Sequence, residues 1–233
     1  MFNGKMKAVT FSYDDGVTQD VRLIELLNKY NLKCTFNINS ALLGREGFLI
    51  REAQTVNHTR INAADVKHIY AGHEVAAHTL THPALIDCSR ERAISEVEND
   101  RIALSELVEY EVVGMAYPGG TGCFNDETVD VIRNHTGIKY ARTTTSTYSF
   151  DLRDDLITFN PTVYHHREWD AMFSLGEKFI ELKTDRPQIF YIWGHAYEFD
   201  IHNTWDRFEE FCKLISGKDD IFYGTNKEIL LKK

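Results

Sequence analysis

Short β-rich runs alternate with amphipathic helical patterns along the whole 233-residue chain. The segments "KAVTFSYDD" and "KCTFNINS" are typical of strands, and "VTQDVRLIELLNKY" between them has apolar residues at helical spacing. Seven or eight units of this kind follow one another. This order predicts parallel strands joined by helical crossovers, and therefore an α/β fold. A single (β/α) barrel over residues 1–233 fits that number of units, and an open doubly wound sheet is the alternative.

The net charge of the chain and its first strand–helix junction exclude several classes of binding partner. The formal net charge is −9, whereas nucleic acids and anionic membranes attract a basic surface. The junction "DDGVTQD" has one glycine and lacks the glycine-rich loop that binds a dinucleotide. We therefore expect neither a nucleic-acid nor a membrane partner, and no nucleotide cofactor.

The cysteines and the start of the chain suggest a cellular location. Cys34, Cys88, Cys123 and Cys212 stand far apart and form no CxxC pair, which favours reduced thiols over disulfides or a thiolate zinc site. The segment "MFNGKMKAVTF" leads into a strand without the apolar stretch of a signal peptide, and no later segment resembles a membrane span. The sequence therefore predicts a cytoplasmic protein.

Residues able to carry chemistry cluster at one end of the predicted strands. The first strand ends at Asp14 and Asp15, and the third ends at His78. The other strand-end candidates are Tyr117, Pro118, Gly119, Arg142, His165 and His195. Active sites of parallel barrels lie at the carboxyl ends of the strands. The shared position of these residues predicts one site.

Two histidines, His78 and His82, stand four residues apart in "EVAAHTLTHPAL". This spacing alone is also typical of a polar surface turn. However, two imidazoles and one carboxylate supply the three protein ligands of a catalytic zinc-type site, and Asp15 is the natural third ligand. A cation would also offset the repulsion between Asp15 and Asp14, and it would leave Asp14 free as a general base.

Four motifs, "FSYDDG", "GHEVAAHTLTH", "AYPGG" and "IWGH", occur in the order seen in polysaccharide deacetylases of the NodB type, the family 4 carbohydrate esterases. They extend from about Thr10 to His195, so the chain resembles this family over most of its length. The resemblance implies one domain with a distorted (β/α) barrel of seven or eight units. It also implies a hydrolase that removes an N- or O-linked acetyl group from a sugar or oligosaccharide. The implied cofactor is one divalent metal ion, with zinc expected and cobalt or nickel as alternatives.

Carried over by position, the resemblance implies a role for each strand-end residue. The metal ligands would be Asp15, His78 and His82. Metal-bound water would attack the acetyl carbonyl, Asp14 would accept its proton, and His195 would protonate the leaving amine or alcohol. A backbone N–H near Gly119 would help the metal to hold the oxyanion.

The sequence also departs from the family pattern. Ala116 stands two residues before the proline, where an arginine usually pairs with the catalytic aspartate, and Gly119 replaces an aromatic residue. We expect Arg142 to supply the missing cation, although an exposed strand-end arginine is the alternative. The family's tryptophan-bearing aspartate motif is not present in "TYSFDLRDDL", residues 147–156, so no residue is assigned to tune His195.

Other residues are expected to form the substrate groove, and other functions remain open. The groove or oxyanion residues would be Tyr117, Pro118, Gly119, Arg142, His165 and Trp193. The missing third-motif arginine favours one alternative, a catalytically weak or inactive barrel that binds metal and glycan. Hydrolysis of another small amide is a second alternative. Non-haem iron oxygenases are disfavoured because they use all-β barrels, and zinc peptidases because "HEVAAH" is one residue longer than HExxH.

Overall fold

A computed structural model describes residues 1–120, 122–152 and 155–231 of the chain. Strands and helices alternate along the described residues, as predicted. The strands are β1 (Lys7–Asp14), β2 (Cys34–Ile38), β3 (Phe48–Arg51), β4 (Gln54–Asn57), β5 (Glu74–Ala77), β6 (Gly114–Ala116), β7 (Tyr140–Arg142), β8 (Val163–Tyr164), β9 (Gln188–His195) and β10 (Ile221–Tyr223). The helices are α1 (Asp20–Lys29), α2 (Val66–Ile69), α3 (Arg90–Val108), α4 (Asp126–His135), α5 (Trp169–Glu181), α6 (Glu198–Ile201), α7 (Trp205–Ile215) and α8 (Asn226–Leu230).

The main sheet is parallel at every strand pair and curls into a distorted (β/α) barrel, which confirms the predicted fold. Its strand order is β7-β6-β5-β2-β1-β9-β8, and β10 pairs with the first half of β1. The gap between β7 and β8 is bridged by one chain segment. Phe159 pairs with Arg142 of β7, and Val163 and Tyr164 pair with β9.

The central strand β1 is buried along its whole length, as expected for a parallel sheet covered on both faces. Phe11 belongs to the hydrophobic core and meets Phe208 of α7 edge-on, with ring centroids 5.9 Å apart. Ser12 and Asp14 point to the opposite face because side chains alternate along a strand. There the amide of Asn37 donates to Ser12 Oγ and to Asp14 Oδ1, both at 2.8 Å. The polar interior of the barrel therefore leads up to Asp14.

The segment "LITFNPTVYH", residues 156–165, has the composition of a strand, but its regular strand is shorter than that composition predicts. Only Val163–Tyr164 forms a regular strand, and Phe159 forms an isolated bridge. Pro161 lies between them, and a proline has no N–H to donate to a neighbouring strand. The segment therefore pairs with β7 before this proline and with β9 after it.

The helix predicted in "INAADVKHIYAG" is also shorter than expected. A 3₁₀ turn, Ala63–Asp65, leads into α2, which is only four residues long. Asn62 precedes this turn, but its side chain donates to the carboxylate of Asp65 at 3.3 Å and caps no backbone N–H. The short helices α6 and α8 were not predicted.

The antiparallel hairpin of β3 and β4 was not predicted either. Its two-residue turn consists of Glu52 and Ala53, which have φ angles of 50° and 61°. Two-residue hairpin turns with positive φ usually contain Asn or Gly, so "REAQ" gave no turn signal. We call residues 48–57 the hairpin below.

Three further features concern a helix cap, the cysteines and the apolar content of the helices. Ser89 caps α3, where its Oγ accepts a hydrogen bond from the N–H of Arg92 at 3.3 Å. All four cysteines are free thiols. No helix within the described residues is both long and apolar enough to cross a membrane.

Candidate metal and catalytic site

Asp14 and Asp15 lie at the carboxyl end of β1, on the rim of the barrel. The register pairs Asp14 with Asn37 of β2 on one side and with His195 of β9 on the other. The chain turns immediately afterwards, because Asp15 has a φ of 88° and its N–H donates to the carbonyl of Asn37 at 2.9 Å. The parallel register thus places the predicted base and the predicted acid beside each other.

The carboxylate of Asp14 is held by two buried donors. Arg142 Nη2 donates to Asp14 Oδ2, and Asn37 Nδ2 donates to Asp14 Oδ1 at 2.8 Å. The side chain of Arg142 has no exposed surface, so its charge is not screened by water. Both oxygens of Asp14 are therefore fixed.

Asp15, His78 and His82 come together at this rim, with one ligand atom of each within 4.8 Å of the others. Asp15 Oδ1 lies 3.9 Å from His78 Nε2 and 3.6 Å from His82 Nε2. This oxygen is buried and accepts no hydrogen bond. A buried carboxylate oxygen is rarely left without a donor. One that faces two imidazole nitrogens fits the donor set of a divalent cation.

The imidazole of His78 is oriented by β6. Its Nδ1 lies 2.9 Å from the carbonyl oxygen of Ala116. Since a carbonyl only accepts, Nδ1 carries the proton and Nε2 presents its lone pair toward Asp15. Burial lowers the pKa of His78 to about 4, so the ring is neutral at neutral pH. A neutral imidazole with a carbonyl behind it is the usual form of a metal-ligating histidine.

Helix α3 holds the loop that carries both histidines. Asp100 Oδ2 accepts a hydrogen bond from the backbone N–H of His78 at 2.9 Å. Glu96 accepts from both the N–H and the hydroxyl of Thr81, at 2.8 and 2.6 Å. His82 follows directly and has a φ of 62°. Two acidic side chains of α3 therefore hold the loop that contains His78 and His82 in one conformation.

Asp15 also contacts two residues that directly follow the hairpin. His58 Nε2 lies 3.0 Å from Asp15 Oδ2. Arg60 Nη1 donates to the carbonyl of Asp15 and lies 3.2 Å from Oδ1, outside hydrogen-bond geometry. Burial alone would raise the pKa of Asp15, but the hydrogen bond from His58 and the charge of Arg60 hold it well below its usual value. Asp15 is therefore ionised, which is the form of a carboxylate that binds a cation.

His195 forms an ion pair with Glu198, which begins α6. His195 Nδ1 lies 3.1 Å from Glu198 Oε1, and its backbone N–H donates to Oε2 at 2.9 Å. Tyr164 donates its hydroxyl to the same carboxylate. Burial would lower the pKa of His195, but the neighbouring negative charge of Glu198 raises it to about 9. His195 is therefore protonated at neutral pH.

These groups open into one cavity of about 510 Å³. It is lined by the predicted ligands, base and acid: Asp14, Asp15, His78, His82 and His195. One wall is aromatic and contains Tyr164, Trp193 and Tyr197. The Tyr164 and Trp193 rings are stacked with centroids 4.4 Å apart. The hairpin adds Leu49 and Arg51, so the cavity is formed partly by an element that the sequence did not predict.

Comparison with known proteins agrees with this arrangement. The sequence model of the polysaccharide deacetylase family matches residues 3–141, more than half of the chain. The chain belongs to this family. No curated protein sequence matches it significantly.

Solved structures show the same fold at low sequence identity. A Streptococcus pyogenes deacetylase in complex with acetate is 21% identical, with a TM-score of 0.51 over 64% of this chain and 61% of that chain. A family 4 carbohydrate esterase from Streptomyces lividans, also with acetate, is 16% identical, with a TM-score of 0.57 over 95% and 92%. A family 4 pseudoenzyme from Bacillus anthracis is 19% identical, with a TM-score of 0.58 over 97% and 66%. The fold thus occurs in enzymes and in a pseudoenzyme.

The position of Arg142 compensates for the arginine that the third family motif lacks in this chain. Ala116, where the family arginine is expected, is the in-register partner of Arg142 on the neighbouring strand. Paired residues on adjacent parallel strands lie about 4.8 Å apart and point to the same face. An arginine moved from position 116 to position 142 therefore still reaches Asp14.

Four residues expected to line the groove do not line the cavity. They are Tyr117, Pro118, Arg142 and His165. Tyr117 is a core residue, stacked on Phe124 and donating to the carbonyl of Ile157 at 3.0 Å. His165 is fully buried between Tyr13 and Phe199, and a Cβ on Gly194 would overlap its ring. Position at a strand end does not decide which face of the strand a side chain occupies, and Tyr117 and His165 are turned into the core. Arg142 faces the interior but lies behind Trp193.

Gly119 and Trp193 do line the cavity, as expected. Gly119 has a φ of 84°, a conformation that glycine adopts without strain. The guanidinium of Arg142 lies over the Trp193 ring, 4.4 Å from its centroid. Trp193 thus forms the wall in front of the buried arginine.

Sequence analysis did not identify Asn37, His58, Arg60 or Glu198 as site residues. Asn37 was the polar residue near the end of the second strand, and Glu198 follows His195 at a spacing of three, so both gave a weak signal. His58 and Arg60 gave none, because the hairpin positions them. Arg153 and Asp154, in the segment searched for the fourth motif, lie outside the described residues.

Proposed function

We propose that this protein is a metal-dependent deacetylase that hydrolyses an N- or O-linked acetyl group on a carbohydrate. One observation carries the proposal. The unbonded oxygen of Asp15 faces His78 and His82, while Asp14 and His195 line the same cavity. Membership of the polysaccharide deacetylase family supports acetylated carbohydrate as the substrate class.

Asp15, His78 and His82 would hold the divalent ion, with zinc expected and cobalt or nickel as alternatives. Two imidazoles and a carboxylate are a donor set that zinc enzymes use, and it leaves a coordination position open. When bound, such an ion lowers the pKa of water and polarises a carbonyl oxygen.

Asp14 is the general base in this proposal. Arg142 and Asn37 each bind one of its oxygens, so its carboxylate has one orientation. A carboxylate oxygen has two lone pairs, and therefore each oxygen still accepts a proton from water in the cavity.

His195 is the general acid. Glu198 binds its Nδ1 side, which leaves Nε2 as the ring nitrogen free to donate a proton to the leaving amine or alcohol. Because Glu198 raises the pKa of His195 to about 9, the ring carries that proton at neutral pH. The acid and the base then act from adjacent strands, β9 and β1.

Gly119 and the aromatic wall would position the acetylated sugar. Gly119 lies on the cavity wall directly after the Tyr-Pro pair, where its backbone N–H is suited to an oxyanion. The aromatic wall offers an apolar surface against which a sugar can pack, and Tyr164 is its partly exposed member. A cavity of about 510 Å³ is the size of ordinary small-molecule sites. It suits a short acetylated saccharide.

Acetate release tests the proposal. Protein stripped with a chelator would be reloaded with zinc, cobalt or nickel and given N-acetylated chito-oligosaccharides or O-acetylated xylo-oligosaccharides. We expect acetate only after reloading, and a decrease in kcat of about 10²- to 10⁴-fold in Asp14→Asn. Asp219→Asn, an exposed aspartate far from the cavity, is the matched control.

The competing function is a barrel that binds metal and glycan without hydrolysis, as the fold of the Bacillus anthracis pseudoenzyme allows. Ala116 in place of arginine was the sequence feature that favoured this function. It no longer does so, because Arg142 donates a hydrogen bond to Asp14. A protein that retains the ion but releases no acetate from any amide or ester would contradict the proposed hydrolase.

A further inference from the structure

A second cluster of metal-ligating side chains lies beside the cavity and plays no part in the proposed chemistry. It consists of Glu52, His166 and His202, with one ligand atom of each within 4.8 Å of the others. Glu52 Oε1 lies 3.1 Å from His166 Nε2, and Glu52 Oε2 lies 2.7 Å from His202 Nε2. The two imidazole rings are nearly parallel, at 9°, and both direct Nε2 toward Glu52. We call these three residues the hairpin-tip cluster.

Three separate parts of the fold meet in this cluster. Glu52 is the first turn residue of the hairpin, His166 follows β8, and His202 follows α6. Glu52 and Ala53 both have positive φ, which costs a non-glycine residue about 1–2 kcal/mol. This strained turn brings the Glu52 carboxylate to the two histidines. Strain of this kind is concentrated at functional sites.

Like the catalytic cluster, the hairpin-tip cluster combines two histidines with one carboxylate, here a glutamate instead of an aspartate, and its ligand atoms lie closer together. In the catalytic cluster, Asp15 Oδ1 lies 3.6 and 3.9 Å from the two histidine nitrogens. Ligand atoms around a tetrahedral zinc ion with bonds of about 2.0–2.1 Å are about 3.4 Å apart. The distances of Glu52 to its histidine nitrogens, 3.1 and 2.7 Å, are hydrogen-bond distances somewhat shorter than this separation, so an ion would move the ligand atoms apart by less than about 1 Å.

We propose that Glu52, His166 and His202 bind a second divalent cation of the zinc class, which fastens the hairpin to the barrel. Arg167 also donates to Glu52 Oε1, at 3.0 Å, but its side chain is 69% exposed and can turn into solvent when the ion binds. The ion would fix the segment that carries Leu49 and Arg51 of the cavity wall. It would also fix His58 and Arg60, which contact Asp15.

The number of zinc ions bound per chain tests the site. Elemental analysis and calorimetric titration with zinc alone should give two ions for the parent. Glu52→Gln and His202→Ala, both at surface positions, should each give one. His68→Ala, an exposed histidine outside both clusters, should still give two. One ion in the parent, or two ions in both cluster variants, would overturn the proposal.

A background without the catalytic ligands separates the two sites. Asp15→Ala combined with His78→Ala should bind one zinc ion, and adding Glu52→Gln should abolish this binding. In the same background, zinc should slow amide hydrogen exchange of residues 48–57, and Glu52→Gln should remove that protection. If the double variant does not fold, the counts from the single cluster variants still decide the proposal. An exchange rate unchanged by bound zinc would contradict the fastening role.

Discussion

Arg142 donates a hydrogen bond to Asp14 across 128 residues of sequence, and both side chains are buried. The pair joins β7 to β1 through the interior of the barrel. It restores, from a different strand, the cation that the family motif would place at Ala116. The proposed catalytic base therefore depends on a contact that no local motif records.

The first prediction concerns the origin of this cation. Arg142→Met removes the charge at similar length and should lower kcat by about 100-fold or more, because the base loses its fixed orientation. It should also lower the free energy of unfolding by about 3–5 kcal/mol, since Asp14 is left buried without its partner. Adding Ala116→Arg should recover part of the activity from the neighbouring strand. Steady-state kinetics and urea unfolding measure both effects.

The control for this prediction is Arg133→Met, which removes an exposed arginine paired with Asp155. An exposed ion pair contributes little to stability, so the free energy of unfolding should change by no more than about 1 kcal/mol. The kcat should stay close to that of the parent protein. If Arg142→Met folds and keeps full activity, Arg142 does not serve the base.

The second prediction concerns the pH range of the acid. Because Glu198 raises the pKa of His195 to about 9, a step that needs protonated His195 should persist up to that pH. Glu198→Gln removes the negative charge, so the pKa of His195 should fall and the alkaline decline in kcat should begin at lower pH. NMR titration of His195 and a pH–rate profile would show the shift.

Glu177→Gln is the matched control for Glu198, because Glu177 is an exposed glutamate on α5. It should leave the profile unchanged. An alkaline limb that stays in place in Glu198→Gln would mean that another group is the acid.

The third prediction concerns the support of the metal ligand Asp15. His58 holds Asp15 Oδ2 and leaves Oδ1 to face the two histidines. His58→Ala should weaken metal binding at the catalytic cluster by about 10- to 100-fold, as removal of an outer hydrogen bond typically does. The measurement is the chelator concentration that halves acetate release, with His68→Ala as the control. Equal chelator sensitivity in both variants would rule out this role.

The fourth prediction concerns Asp20, a buried acid that accepts a hydrogen bond from Tyr70 at 2.8 Å. Burial raises the pKa of Asp20 to about 8. The native state therefore keeps a proton that the unfolded state releases above about pH 4. The free energy of unfolding should fall by up to about 1.4 kcal/mol per pH unit between those two values. Asp20→Asn should show a flatter pH dependence in this window, measured by denaturant unfolding at several pH values. Parallel curves for both proteins would contradict the raised pKa.

Part of the site followed directly from local sequence. The strands β1, β5 and β9 were predicted from short apolar runs, and Asp14, Asp15, His78 and His195 are at their carboxyl ends as expected. Parallel strands bring these ends to one rim, so the sequence was enough to place these side chains together.

Other parts required the tertiary structure. Tyr117 and His165 have the same strand-end position as the site residues, but they are buried in the core. The pleat and the packing of neighbouring helices decide which face such a residue takes. The partner of His195 was also unassigned, because Glu198 belongs to a helix of four residues that has too few turns to show a period.

The amino-acid order by itself determined the alternation of strands and helices, and with it the barrel and the rim on which the proposed metal ligands, base and acid lie. Hydrophobic periodicity is a local property, so it can be read within a few turns or a few strand residues. Only the tertiary structure decided that Arg142 binds Asp14, that Glu198 pairs with His195, and that Glu52 contacts His166 and His202. These contacts join residues from different strands, loops and short helices, and their energies depend on burial and register, which exist only once the barrel has closed.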